Sequence, residues 1–113
     1  MEFIETSVFT RQITELLTDS EYKQLQHELL FKPLAGDLIK HSGGLRKIRW
    51  KAEGKGKRGG IRVIYYYLTK DEKIFMLYAY SKSRKDDLDA NELKMLRDVV
   101  KEELSWKRRC SKS

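Results

Sequence analysis

The chain has 113 residues, 40% of them apolar and 36% charged, with 24 Lys and Arg, 17 Asp and Glu, and a net charge of +7. That size suits a single domain with one modest core, assigned to residues 1–109 with a polar tail at 110–113. No apolar run approaches the roughly 20 residues of a membrane-spanning helix, and the single cysteine, Cys110, excludes an intramolecular disulfide and a cysteine zinc cluster.

Residues 2–9 alternate apolar and polar and predict a short opening strand. The start, MEFIETSVF, lacks the cationic segment and continuous apolar run of a secretory signal, so the cytoplasm is the expected compartment. Thr10 to Leu17 reads as a short helical stretch. Thr18 and Glu21 have the spacing of a capping box, and Tyr22, Leu25, Leu29 and Leu30 follow at helical spacing until Pro33 stops them. Leu34 to Ser42 reads as a connection. Three strands are then predicted over Leu45–Ala52, Ile61–Leu68 and Ile74–Ser81. The middle one, IRVIYYYL, is dense in β-branched and aromatic residues and so is expected at the centre of the sheet. Asp89 and Glu92 repeat the capping-box spacing before a helix with the stripe Leu93, Leu96, Val99, Val100 and Leu104. The order β-α-α-β-β-β-α predicts an α+β fold. It should be a small antiparallel sheet with helices packed on one face and the other face left partly open.

The charge is concentrated. Gly43 to Arg62 reads GGLRKIRWKAEGKGKRGGIR, with eight cations and one acid, and the rest of the chain is balanced. One basic stripe on a balanced protein marks a site for a polyanion. Period-2 alternation puts Lys47, Arg49 and Lys51 on one face of the first long strand and Arg46, Ile48 and Trp50 on the other. Arg62, Ile64 and Tyr66 share a face of the next strand, as do Met76, Tyr78, Tyr80 and Lys82 along the third. A shared face holding Lys47, Arg49, Arg62, Tyr80 and Lys82 interleaves cations with rings, as single-stranded nucleic acid requires: cations meet phosphates and rings stack on bases. Arg62 is the most telling member, because a cation inside the most apolar strand is costly unless partnered or set on an open face.

The loop Glu53–Gly60 contains GKGKRG. It matches a dinucleotide fingerprint only literally, since a strand and not a helix follows. Its cations Lys55, Lys57 and Arg58 read instead as a grip on a phosphate backbone. His27 and His41 have no spacing that brings them together. Asp86, Asp87 and Asp89 are explained as residues of a helix start.

Together the LRKIRW strand, the Gly-x-Arg of GGIRVIYYY and the segment YSKSRKDDLDANE give the chain a resemblance to the RelE/ParE superfamily of type II toxin–antitoxin toxins, nearest its HigB-like branch, over about Phe3 to Leu104. The resemblance implies a ribosome-dependent endoribonuclease that cleaves messenger RNA in the decoding site without metal or other cofactor, inhibits translation and is neutralised by a cognate antitoxin. Operator DNA would be met only through the antitoxin complex, and no membrane is involved. Motif matching assigns catalytic roles to Lys47, Arg49, Arg62 and Lys82, with Lys85 a weaker match; RNA binding is expected of Arg46, Lys55, Lys57, Arg58, Tyr80 and Lys85. Ser83 and Asp89 stand where the RelE branch has an arginine and a tyrosine.

In such a reaction the RNA 2′-hydroxyl attacks the adjacent phosphate, so the enzyme supplies a base, an acid and charge stabilisation. Arginine stays charged and suits phosphate clamping. Arg62 is therefore expected at the phosphorane and Arg49 at the scissile phosphate. Lys47 or Lys82 is expected as base or acid, because a lysine crowded by like charges loses its proton more readily. Two other functions fit the same stripe: a ParE-type poison of DNA gyrase, and a non-catalytic RNA-binding module.

Overall fold

The computed structural model describes residues 1–51, 60–82 and 87–110, without the side chains of 103–110. Its elements in chain order are β1 (Glu2–Glu5), α1 (Ser7–Leu16), α2 (Asp19–Phe31), β2 (Asp37–Leu38), β3 (Arg46–Trp50), β4 (Ile61–Leu68), β5 (Lys73–Ser81) and α3 (Ala90–Cys110). The α+β class and the expected order hold, with the two-residue β2 added inside the connection that follows Pro33. The strands form one sheet in the order β1-β5-β4-β3-β2. β4 is central, as its composition requires. The sheet is antiparallel except at its edge, where β1 runs parallel to β5.

Local chemistry sets the helix starts. The Thr6 hydroxyl accepts from the Phe9 N–H (3.0 Å), which starts α1 three residues earlier than periodicity alone suggests, and it donates to the Leu77 carbonyl (3.0 Å). Thr18 and Glu21 form the full reciprocal capping box of α2. Asp89 and Glu92 do the same for α3, with N–H to carboxylate distances of 2.8 and 3.1 Å.

Two cores flank the sheet. On one face Phe9 and Ile13 of α1 and Leu25 and Leu29 of α2 pack on Ile48, Val63, Tyr65, Ile74 and Met76. On the other, Leu96 and Val100 of α3 pack on Leu45, Ile64, Phe75 and Leu77. The second face is thus covered over part of its length by α3, and Lys47 and Arg49 line a cavity beside the start of that helix. The cause is legible in β4: Ile61, Arg62, Val63, Ile64 and Tyr65 are all buried, so the strand presents apolar side chains to both faces and needs a helix on each.

Strict alternation fails on β5. Ile64 pairs with Tyr78 but Tyr65 pairs with Met76, which leaves Leu77 as the extra residue of a β-bulge. Met76 therefore faces the α1/α2 core while Tyr78 and Tyr80 face the other way, correcting the expectation that all three share a face. Beyond the last β1–β5 pair, Glu5 with Met76, the Ala79 N–H donates to Gln12 Oε1 of α1 (2.8 Å).

Candidate anion site on the second sheet face

Sheet register brings the cations of three separate segments together. Arg49 of β3 is the direct partner of Arg62 of β4, which is the direct partner of Tyr80 of β5. Lys47 lies two residues along from Arg49 and pairs with Ile64 on one side and with Asp37 of β2 on the other. Directly opposed side chains have Cβ atoms about 5 Å apart, and like charges so placed repel. Arg49 and Arg62 are such a pair, so the site stores positive charge that an anion can relieve.

A side-chain anion is already there. Lys47 Nζ donates to and pairs with Asp87 Oδ1, from the segment that leads into α3. The Asp87 carboxyl is held below the usual carboxylate range, first by the hydrogen bond from Lys47, then by its charge, and further by the charges of Arg49 and Arg62. Lys47 is largely covered whereas the Asp87 side chain is 75% exposed, so the carboxylate sits over the cations at the mouth of the site. Sequence reasoning explained Asp87 as part of a helix start. The cap is Asp89, and Asp87 has the different task of balancing the cluster. The available signal was the capping-box spacing itself, which uses Asp89 and Glu92 and leaves Asp87 without a role.

The other expected site residues divide by position. Arg62 is 4% exposed, and one guanidinium N–H donates to the Ile61 carbonyl (3.4 Å). Tyr80 is on the right face but only 5% exposed, with its ring centroid 6.0 Å from that of Tyr78. It backs Arg62 and does not offer the free ring that stacking on a base requires. Tyr78 donates to Glu92 Oε2 (3.1 Å), which ties this face to the start of α3. Lys82 is exposed just past β5, and its N–H donates to the Gly60 carbonyl (3.2 Å). Arg46 belongs to the opposite face, where a guanidinium N–H donates to the Gly36 carbonyl (2.9 Å), so it does not join the cluster. Lys55, Lys57, Arg58, Ser83 and Lys85 lie outside the described residues.

Fold and site together define a small α+β protein with cations converging from β3 and β4 on one sheet face, Arg49 exposed, Lys47 largely covered and Arg62 buried. The fold is similar to that of the E. coli toxin RelE, in the free state of a mutant with two arginines replaced by alanine. The match has a TM-score of 0.54 and 14% identity, and covers 75% of this chain and 86% of that one. The family model of the RelE toxin of the RelE/RelB toxin–antitoxin system matches residues 4–110. The chain belongs to the RelE toxin family. It is a toxin of the toxin–antitoxin type, a class that implies an antitoxin partner. Among the described residues, no helix is long and apolar enough to cross a membrane.

Proposed function

We propose that this toxin is a ribosome-dependent endoribonuclease that cleaves messenger RNA in the decoding site and so arrests translation in the cytoplasm. The observation that carries the reading is the cross-strand juxtaposition of Arg49 and Arg62 with Lys47 two residues away, three cations on one face whose charges all act on the Asp87 carboxylate. A phosphodiester bears the same charge as Asp87 and can take its place among them.

RNA supplies its own nucleophile. The 2′-hydroxyl attacks the adjacent phosphorus, the phosphorane gains negative charge, and the 5′-oxygen leaves with a proton. Arg62, held in place by the central strand, stabilises the charge that develops on the phosphorane. Arg49, exposed at the mouth, clamps the scissile phosphate, a task its fork of N–H donors suits. Lys47 and Lys82 are the groups that take and give the proton. Lys47 must first leave Asp87, so entry of the phosphate and release of Lys47 are one event. Lys55, Lys57, Arg58 and Lys85 grip RNA backbone around the site. No step calls for a metal or cofactor. An antitoxin neutralises the toxin either with acidic residues set against these cations or by a steric wedge beside them.

The test is to map the 5′ ends of messages by primer extension in cells expressing the toxin, and on translating ribosomes supplied with purified toxin. Discrete, codon-linked cuts are expected. Intact messages with broken DNA would identify a gyrase poison, and intact messages with bound toxin a simple RNA-binding module.

A further inference from the structure

Next to the cations, a cavity of about 300 Å³ opens between β2, β3 and the start of α3. Its cationic end is Lys47 and Arg49. Its walls are Leu38 and Ile39 from the β2 segment and Leu88 and Leu93 from the start of α3, and the carboxylates Asp37 and Asp87 also line it, each beside Lys47. The volume is at the lower end of the range for small-ligand sites, about 300–1,000 Å³. Leu38 is 59% exposed on a strand of two residues, an apolar side chain that the core does not use. Ile39, Leu88 and Leu93 are half-buried, with one side in the core under α3 and the other on the cavity.

We infer that this cavity is a nucleobase slot, which takes the base of the nucleotide whose phosphate lies on Lys47 and Arg49 and thereby sets which sequence is cut. The inference rests on the ribonuclease reading above and deepens it. A nucleotide pairs a dianionic or monoanionic phosphate with a flat, largely apolar ring system, and the site offers cations and apolar walls side by side in the same way. Flipped or single-stranded bases are commonly held between apolar side chains. Tyr80 is buried, so the platform expected from the aromatic residues is replaced by this aliphatic one. The slot is also built and not incidental. β2 exists because the connection after α2 is pinned to the sheet: the Gly36 N–H donates to the Tyr65 hydroxyl (2.8 Å), and that hydroxyl donates to the Pro33 carbonyl (2.8 Å). These bonds hold Leu38 against β3 and give the slot its outer wall.

The full-length protein, methyl-labelled on Leu and Ile, is titrated with adenosine 5′-monophosphate and, separately, with ribose 5-phosphate, and the shifts of Leu38, Ile39, Leu88 and Leu93 are followed by NMR. The expected result is that the nucleotide binds about tenfold more tightly than the sugar phosphate, the scale of discrimination an apolar slot supplies, with the four methyl sets moving for the nucleotide alone. The exposed variant Leu38→Ser should lower that ratio, with folding checked from the same spectra. Equal affinities, or no binding of either compound, overturn the slot. Cleavage of messages on ribosomes is measured in parallel. Cleavage with equal affinities removes the slot and leaves the ribonuclease reading standing, whereas base-selective binding without cleavage removes that reading and leaves the slot.

Discussion

Lys47 and Asp87, forty residues apart in the chain, form an ion pair that joins β3 to the start of α3 across the cationic face. The pair gives the proposed site a resident anion. In the free protein Asp87 offsets the repulsion among Lys47, Arg49 and Arg62, and RNA must compete with it. Replacing Asp87→Asn removes one negative charge from the mouth of the site and frees Lys47. Affinity for a short single-stranded RNA should rise, and the fall of log affinity with log salt should steepen by about 0.7, the contribution of one more neutralised phosphate. Fluorescence anisotropy across a salt series measures both. An unchanged slope would mean that Asp87 and RNA do not compete for the same cations.

The same pair has a pH signature. The folded-state pKa of Asp87 is depressed, so the carboxylate stabilises the fold above its unfolded value, about 3.9, and loses that contribution as pH falls through the lower folded value. The side chain is three-quarters exposed, so the gain is screened and amounts to well under ~1 kcal/mol at pH 7. Urea denaturation of the wild type and Asp87→Asn should show a small difference at pH 7 that shrinks as pH falls below the ordinary carboxylate range and vanishes once Asp87 is protonated in the folded protein. A difference that grows on acidification would place the stabilising group elsewhere.

Arg62 was legible because one cation in IRVIYYYL contradicts its surroundings, and Lys47 and Arg49 followed from period-2 alternation once β3 was drawn. Both capping boxes, at Thr18 and Asp89, were legible as well, because a capping box is a local pattern. Three features were not. The bulge at Leu77 is decided by pairing with β4 and has no mark in KIFMLYAYS. The burial of Tyr80 depends on Tyr78 and on α3 crossing that face. The role of Asp87 depends on Lys47, forty residues distant; the capping-box spacing within DDLDANE sets it apart from Asp89 but not from Asp86. Long-range partners decided each of these outcomes.

Among the described glycines of the basic stripe, Gly60 is the one whose identity the fold dictates most sharply. Its φ is +75°, and a Cβ there would lie 2.3 Å from the Trp50 carbonyl oxygen, which is backbone and cannot swing aside. Gly43 has a φ of +74° but nothing within 4 Å of such a Cβ. Gly43→Ala should therefore cost about 1 kcal/mol of backbone strain, and Gly60→Ala clearly more, at least ~3 kcal/mol or loss of folding. Chemical denaturation of the two variants side by side gives the comparison. Equal costs would mean that the β3–β4 edge yields to accommodate the methyl group.

Tyr65 reaches from the centre of the sheet to the segment before β2. It is fully buried, and burial pushes its hydroxyl pKa upward. Tyr65→Phe would leave the buried Gly36 N–H and the Pro33 carbonyl without their shared partner, at a cost of about 1–3 kcal/mol. Because the ring remains, the loss should be local. Amide exchange should accelerate at Gly36 and across Asp37–Leu38 while the β4–β5 ladder keeps its protection. Uniform acceleration would show instead that the hydroxyl supports the whole core.

The two faces of β3 provide the sharpest test of the catalytic assignment, because they carry neighbouring arginines with the same chemistry and different positions. Arg49 lies opposite Arg62 on the face with Asp87, whereas Arg46 donates to Gly36 on the α2 side. Removing a donor that meets developing charge commonly costs about 10²–10³ in rate. Arg49→Ala and Arg62→Ala should each lower single-turnover cleavage on ribosomes on that scale. Arg46→Ala should lower stability by about 1 kcal/mol, through the lost hydrogen bond, and leave cleavage per folded molecule within about threefold. Circular dichroism and denaturation midpoints correct each rate for folding, which matters most for the buried Arg62. If Arg46→Ala proves as damaging as Arg49→Ala in folded protein, total charge and not the shared face governs the reaction, and the assignment of Arg49 and Arg62 to the phosphate fails.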